Sequence, residues 1–323
     1  MTRYIVLLLT VLALVGLGLE LATRRTLSQV SEVGQRLDSE QAAAEGIRQS
    51  AEGPLPVLIV GNSLLGSGVD PRLLDERLRP EHHLVRFVVE DTNYLDWYYG
   101  LNRLFREGAR PKTVLLMLTP RQLAATTVRG DIFGRVLLDP RDLLQVKHDS
   151  ASDNTTTGGL LFATVSEFYG FRSEIRKWFL LRLLPDFPNL TARLRPMALP
   201  LPADEELENR IQPRLERMAS LCADYGAQLV LVLPPDNDMN DGSAAVFHAA
   251  RANDIPVVVP FGPRELPPTL YSDGVHLNAD GAAVFTRVLG ASLRSVLRTP
   301  SNQMSTSSQS TPVAPLLAAD QPK

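Results

Sequence analysis

One stretch limits the possible folds more than any other: Pro56–Asp70, which reads PVLIVGNSLLGSGVD. Val57 to Val60 form a short apolar run that stops at the turn Gly61-Asn62-Ser63, and a helical pattern follows. An apolar run of strand length that ends at a glycine and passes into a helix is the opening βα unit of a parallel sheet. The pattern then recurs. Pro71 to Leu78 predicts a helix with proline in its first turn, where a missing N–H costs little. His82 to Val89 predicts a second strand and Thr113 to Leu118 a third. Between them, Tyr94, Trp97, Tyr98, Leu101, Leu104 and Phe105 fall at helical intervals and read as core contacts. The order β-α-β-α-β implies a parallel, doubly wound α/β sheet. Ligands of such sheets sit beyond the carboxyl ends of the strands, and Ser63 lies at such an end.

From Thr119 the alternation breaks, and residues 119–202 read as a mostly helical insertion over the strand ends. Within it, Asp149–Gly159 reads as a flexible polar loop and Ser166–Leu184 as one amphipathic helix. The alternation resumes with a helix from Asp204 to Tyr225, kinked or restarted at Pro213, and a strand from Gln228 to Leu233. A helix over Ser243–Ala252, a strand over Ile255–Val259 and a helix over Ala279–Leu297 complete a domain spanning 56–300. The polar segment 301–323 reads as a disordered tail.

The N-terminus carries a second constraint. Tyr4 to Leu19 contains no charge, with Arg3 before it and Arg24-Arg25 after it; with Glu20 and Leu21 at its end it is just long enough to cross a bilayer. A cleaved signal peptide competes with this reading, but no A-x-A site follows the run and no lipobox cysteine is present. The expectation is a retained transmembrane anchor over 1–25, with a polar stalk over 26–55. A net charge of −3 leaves no basic footprint for nucleic acid. The only cysteine, Cys222, can form neither an internal disulfide nor a cysteine zinc site, and a buried thiol is the simpler reading.

Chemistry-bearing residues cluster late in the chain, at Asp273-Gly274-Val275-His276-Leu277-Asn278. A carboxylate three residues before an imidazole can hold one ring nitrogen while the other faces a neighbouring strand end. Serine is a poor nucleophile unless a base takes its proton during attack, and histidine, titrating near neutrality, suits that task. The plainer alternative is that Asp273 caps the last helix and His276 is a surface residue, with Ser63 only a helix cap. Placement decides between them: Ser63 follows the first strand and His276 the last, on the same edge of a parallel sheet. Gly61-x4-Gly66-Ser67 lacks the lysine of a phosphate loop. Asp236–Gly242 resembles a calcium loop, but Phe247 stands where a bidentate glutamate is needed. No metal site is expected.

The pairing of GNSLLGSGVD with DGVHLN resembles the SGNH (GDSL-type) hydrolases over about Val57 to Leu297, the insertion excepted. The resemblance implies a flavodoxin-like, three-layer α/β/α fold with a parallel sheet. It makes Ser63 the nucleophile, His276 the base and Asp273 the orienting carboxylate. The sequence departs from the pattern in three places. Asn62 stands for the usual aspartate. The second block, which carries a glycine in the family, matches Val89–Asn93, with none. The third, G-x-N-D in the family, matches Leu118-Thr119-Pro120-Arg121. The Ser63 N–H remains as an oxyanion donor, and Asn93, Thr119 and Arg121 are the candidate substitutes. Anchor and insertion together resemble a subgroup found with bacterial cell-surface polysaccharide O-acylation machinery. That likeness implies a serine-dependent ester hydrolase or O-acyltransferase, acting on small acyl esters of carbohydrate without metal or organic cofactor. It also implies a domain on the periplasmic or extracytoplasmic side and a membrane O-acyltransferase as partner. The alternative is a catalytically weak SGNH-like module that binds polysaccharide or that acyltransferase.

Overall fold

A computed structural model describes residues 2–30, 32–50, 52–184, 201–235 and 241–298. The segment 301–323 and the heart of Asp236–Gly242 therefore lie outside the described residues.

Five strands build one sheet: β1 (Leu55–Gly61), β2 (His82–Val88), β3 (Thr113–Met117), β4 (Gln228–Val232) and β5 (Val257–Val258). Their spatial order is β2-β1-β3-β4-β5, and every neighbouring pair is parallel. This is the flavodoxin-like order, in which the chain reverses direction across the sheet between β1 and β3. Both faces of the strands are apolar, as a sheet covered on two sides requires. Leu58, Val60, Val114, Leu116, Leu229 and Leu231 point to one layer. Val57, Ile59, Leu115, Met117, Val230 and Val232 point to the other. Because side chains alternate along a strand, each run of consecutive aliphatics feeds two cores at once.

The first layer holds α5 (Tyr94–Arg106), with Trp97, Leu101 and Phe105 buried. It also holds helix 204–224 and helix 243–251, the former a single helix with Pro213 inside it. The second layer holds α3 (Ser63–Gly68), α4 (Pro71–Leu78) and the final helix Ala279–Arg298. In the last, Phe285, Leu289 and Leu293 repeat at four-residue intervals and are fully buried.

The chain begins with α1 (Thr2–Val30), whose segment Thr2–Arg25 contains an 18-residue window of mean hydropathy 2.6. It is long and apolar enough to cross a membrane or to serve as a signal sequence. The stretch 26–55, expected as a stalk, is largely a packed element. Its helix α2 (Glu32–Glu45) lies along the outer edge of β2 and buries Leu37 and Ala44. Glu40 accepts from the Val88 N–H (2.8 Å) and from Arg86, and Arg36 donates to the Val88 carbonyl (3.0 Å). An edge strand exposes unpaired backbone groups. The polar residues that made this segment look solvated are the ones that satisfy that edge.

The insertion is mostly helical in its described part, with 125–130 in no regular element, and it differs from expectation in two places. Asp149–Gly159 is not a loop: α6 (Asn154–Val165) starts inside it, its first turn capped by Asp153 accepting from Thr156 N–H (2.7 Å). Tertiary packing overrides the threonine- and glycine-rich composition, since Leu160 and Ala163 pack on the turn at Phe133–Leu137. Ser166–Leu184 is not one helix. It breaks at the buried Phe171 into α7 (Glu167–Gly170) and α8 (Arg172–Leu183), and α8 buries no side chain in the protein.

Candidate active site

Ser63 is placed by a turn that only glycine permits at its start. A Cβ on Gly61 would stand 2.7 Å from the Met117 carbonyl, so β1 and β3 approach this closely because Gly61 has none. Asn62 is completely buried and extended (φ −106°, ψ −155°). Its Oδ1 accepts from the Leu64 N–H (3.0 Å), and its Nδ2 donates to the Thr92 carbonyl (3.0 Å). It thus caps α3 and ties the Ser63 turn to the loop after β2. Ser63 is the first residue of α3, and a first-turn N–H has no intrahelical acceptor.

The partner loop is closed by its own backbone. Tyr271 and Leu277 form an antiparallel bridge, and Ser272 donates from N–H and Oγ to the His276 carbonyl (2.8 and 3.0 Å). Asp273 Oδ1 accepts from the N–H groups of Val275 (3.1 Å) and His276 (2.8 Å). Its Oδ2 lies 2.9 Å from His276 Nδ1. Capping of the last helix falls instead to Asn278, whose Oδ1 accepts from the Gly281 N–H (3.0 Å). At Gly281 a Cβ would meet the Leu270 carbonyl at 2.3 Å, so glycine seats the helix against this loop.

Across the sheet edge, His276 Nε2 lies 3.0 Å from Ser63 Oγ. A carboxylate only accepts, so the proton on Nδ1 is held toward Asp273 and the Nε2 lone pair faces the serine hydroxyl. Ser63, His276 and Asp273 therefore form one hydrogen-bonded chain at the carboxyl end of β1, where the sheet order reverses. The side chains of His276 and Asp273 are each 29% exposed, so the chain opens on solvent.

The other candidates are arranged differently. Among the described residues, Asn93, Thr119 and Arg121 make no hydrogen bond to Ser63 or His276. The Asn93 N–H is committed to Asp96 Oδ2 (2.8 Å), while its Nδ2 reaches only the Thr127 hydroxyl at 3.4 Å. The Thr119 N–H is committed to Gln122 Oε1 (2.9 Å), and its hydroxyl accepts from the Gln122 N–H (3.3 Å), a reciprocal cap. Arg121 is exposed.

Two residues that sequence reasoning passed over hold this side together. Asp96 is fully buried and accepts from the N–H groups of Asn93 and Arg129 (2.7 Å). Burial pushes its carboxyl up to about 7 against those hydrogen bonds. Arg129, from the insertion, donates to the Glu90 carbonyl (3.1 Å) and pairs with Asp91 (3.3 Å). Asp91 has φ +58°, the left-handed region that glycine enters most readily. The block that lacks a glycine thus still makes a glycine-like turn, held by Arg129. The spacing Asn93-x-x-Asp96 was a readable signal, since it is an N-cap followed by an acidic residue at the third helical position.

The sequence matches no family model and no curated protein. Solved structures are similar at low identity. TesA is 14% identical, with 75% of this chain and 99% of that chain covered at a TM-score of 0.40. An acetyl-xylooligosaccharide esterase, Axe2 from Geobacillus stearothermophilus, is 12% identical, with 75% of this chain and 95% of that chain covered at a TM-score of 0.38. The fold assignment stands on the strand order and register of this chain itself.

Proposed function

We propose that this protein is a membrane-anchored serine esterase or O-acyltransferase of the SGNH type, acting on small acyl esters carried by cell-surface carbohydrate. One observation carries the reading: the Asp273–His276–Ser63 chain at the carboxyl edge of a flavodoxin-like sheet. In the first step Ser63 Oγ bonds to the ester carbonyl carbon, and His276 Nε2 takes the hydroxyl proton. Asp273 supports the imidazolium that forms. The Ser63 N–H and the Asn93 side-chain amide are the donors assigned to the oxyanion. Collapse breaks the ester C–O bond, and His276 returns its proton to the leaving alcohol. Water, or a sugar hydroxyl in transfer, then attacks the acyl-serine by the same route and restores Ser63. The open edge suits an acyl group displayed on a large carbohydrate, and the N-terminal helix suits a domain held on the extracytoplasmic side.

Ser63→Ala tests the reading. Turnover of an aryl acetate is expected to fall about 10³-fold or more, with the unfolding transition unchanged. Labelling by a fluorophosphonate is expected to vanish with it. Undiminished turnover in that variant sinks the assignment. A second reading, a weakly catalytic module that binds polysaccharide or a membrane O-acyltransferase, draws support from the capping work done by Thr119 and by the Asn93 N–H. Wild-type protein that resists the fluorophosphonate favours it.

A further inference from the structure

The insertion and the N-terminal helix meet where a membrane surface would lie. Glu20 of α1 accepts from Ser166 Oγ (2.8 Å) and from the N–H groups of Glu167 (3.0 Å) and Phe168 (3.2 Å). The apolar segment ends at Arg25, five residues beyond Glu20. At about 1.5 Å per residue, that contact lies roughly 7–8 Å inside the charged end of the segment. The polar interface of a bilayer is about 5–8 Å deep on each side of its hydrocarbon core. A membrane that holds α1 up to Arg24-Arg25 therefore reaches Ser166 and what surrounds it.

Beside that contact and its Arg24–Glu20 and Arg135–Glu167 ion pairs, α6 and α8 carry apolar side chains that nothing covers. Leu161 (46% exposed), Phe162 (63%) and Val165 (67%) share one face of α6, immediately before Ser166. On α8, Phe179 (54%) and Leu183 (73%) lie one turn apart, and no side chain of that helix is buried. α8 also carries Arg176, Lys177 and Arg182, exposed and without an ion-pair partner among the described residues. Trp178 sits between them, with the Arg182 guanidinium 4.8 Å from its ring. Exposed aliphatic and aromatic residues, long basic side chains and a tryptophan make up the composition of helices that lie in a lipid interface. A protein core does not explain it, since these side chains face away from both cores.

We propose that α6 and α8 form a second membrane contact. Their apolar residues enter the lipid interface beside α1, and their basic residues meet anionic headgroups. The partner is the lipid surface itself. This inference rests on α1 being a retained span. Its consequence is orientation: the domain is held at two places instead of swinging on a single helix, which fixes the direction in which the Ser63 edge faces.

The test uses the full chain in vesicles of phosphatidylcholine and phosphatidylglycerol. Single labelling sites are made by Phe162→Cys, Val165→Cys and Leu183→Cys, with Leu12→Cys as the span control and Phe247→Cys as the distant control. Cys222 is fully buried and escapes the label. A nitrobenzoxadiazole dye at 162, 165 and 183 is expected to shift to the blue and to be quenched by lipid carrying a nitroxide near the headgroup, and the dye at 12 by lipid carrying the nitroxide deep in its acyl chain. Position 247 is expected to behave as in water. Quenching at 12 with none at 162, 165 and 183 overturns the second contact and leaves the anchor standing. No quenching at 12 overturns both. Equal quenching at 247 overturns the oriented contact. Fluorophosphonate labelling of each variant reports Ser63 separately, so failure of the esterase reading is not confused with failure of this one.

Discussion

The two sides of the candidate site are built on opposite principles. On the Ser63 side, polar atoms hold the turn and the loop that bring Ser63, His276 and Asp273 into one chain. The turn at Asn62 aims the serine, the loop 271–277 aims the histidine, and Asp273 spends one oxygen on its own backbone and the other on the ring. On the Asn93 and Thr119 side, polar atoms are spent on holding helices. The Thr119 N–H and hydroxyl serve Gln122, and the Asn93 N–H serves Asp96. The Asn93 Nδ2 is weakly engaged, at 3.4 Å from the Thr127 hydroxyl. On the proposed reading, nucleophile activation and oxyanion stabilisation separate within one site. The first needs two hydrogen bonds in series. The second needs free donors, and capping takes the backbone N–H groups of Asn93 and Thr119.

The comparison breaks most easily at Asp273. Asp273→Asn keeps the size of the side chain but offers the ring nitrogen a donor or forces the wrong tautomer. Turnover of an aryl acetate is expected to fall about 10³–10⁴-fold, in kcat more than in KM. A fall of less than about tenfold shows that the carboxylate is not orienting a catalytic base.

Asn93 carries the next effect. If its Nδ2 donates to the oxyanion, Asn93→Ala removes an interaction made in the transition state. The expected cost is about 2.7–4 kcal/mol in the barrier, or about 10²–10³ in kcat, with KM little changed. An unchanged kcat leaves Ser63 N–H as the sole oxyanion donor and sharpens the contrast between the two sides.

The two sides also differed in how far they could be read from residues alone. The strands were legible because a doubly covered parallel sheet writes itself as consecutive aliphatics, Val57 to Val60 and Thr113 to Leu118. The meeting of Ser63 and His276 was legible because both follow strands on one edge, although more than two hundred residues separate them. The far side was obscure because its geometry depends on Arg129, which arrives from an insertion of no recognisable pattern. Nothing about Asp91 in a sequence announces a φ of +58°; the ion pair with Arg129 accompanies it. The edge role of Glu32–Glu45 was hidden for a related reason: glutamate and arginine that satisfy a strand look the same, in composition, as glutamate and arginine in water. The start of α6 was hidden because packing against Phe133–Leu137, not local propensity, holds it.

Asp96 tests whether the far side is held as described. Burial holds its folded carboxyl up at about 7, against an ordinary value of 3.8. Between those values the folded chain binds a proton that the unfolded chain has released, so stability falls as pH rises from about 4 to about 7. The contribution is complete below the lower value and lost above the higher. Asp96→Asn cannot titrate and is expected to flatten that part of a pH series of denaturant unfolding curves. The amide presents an N–H to one of the two backbone donors, so the variant is expected to lose about 1–3 kcal/mol at pH 5. An unaltered pH slope assigns the titration elsewhere.

Thr119 gives the smallest effect and the cleanest contrast with Asn93. Its N–H is already held by Gln122, and its hydroxyl accepts from the Gln122 N–H, so the residue acts as a cap at the carboxyl end of β3. Thr119→Ala is expected to cost about 1 kcal/mol of stability, as loss of a threonine cap does. Turnover is expected to stay close to that of the parent protein once the folded fraction is matched. Thr119→Ser, which keeps the hydroxyl, is expected to recover the stability. If kcat instead falls with the alanine variant and returns with serine, the hydroxyl is donating to the oxyanion, and the division between an activating side and a capping side does not hold at Thr119.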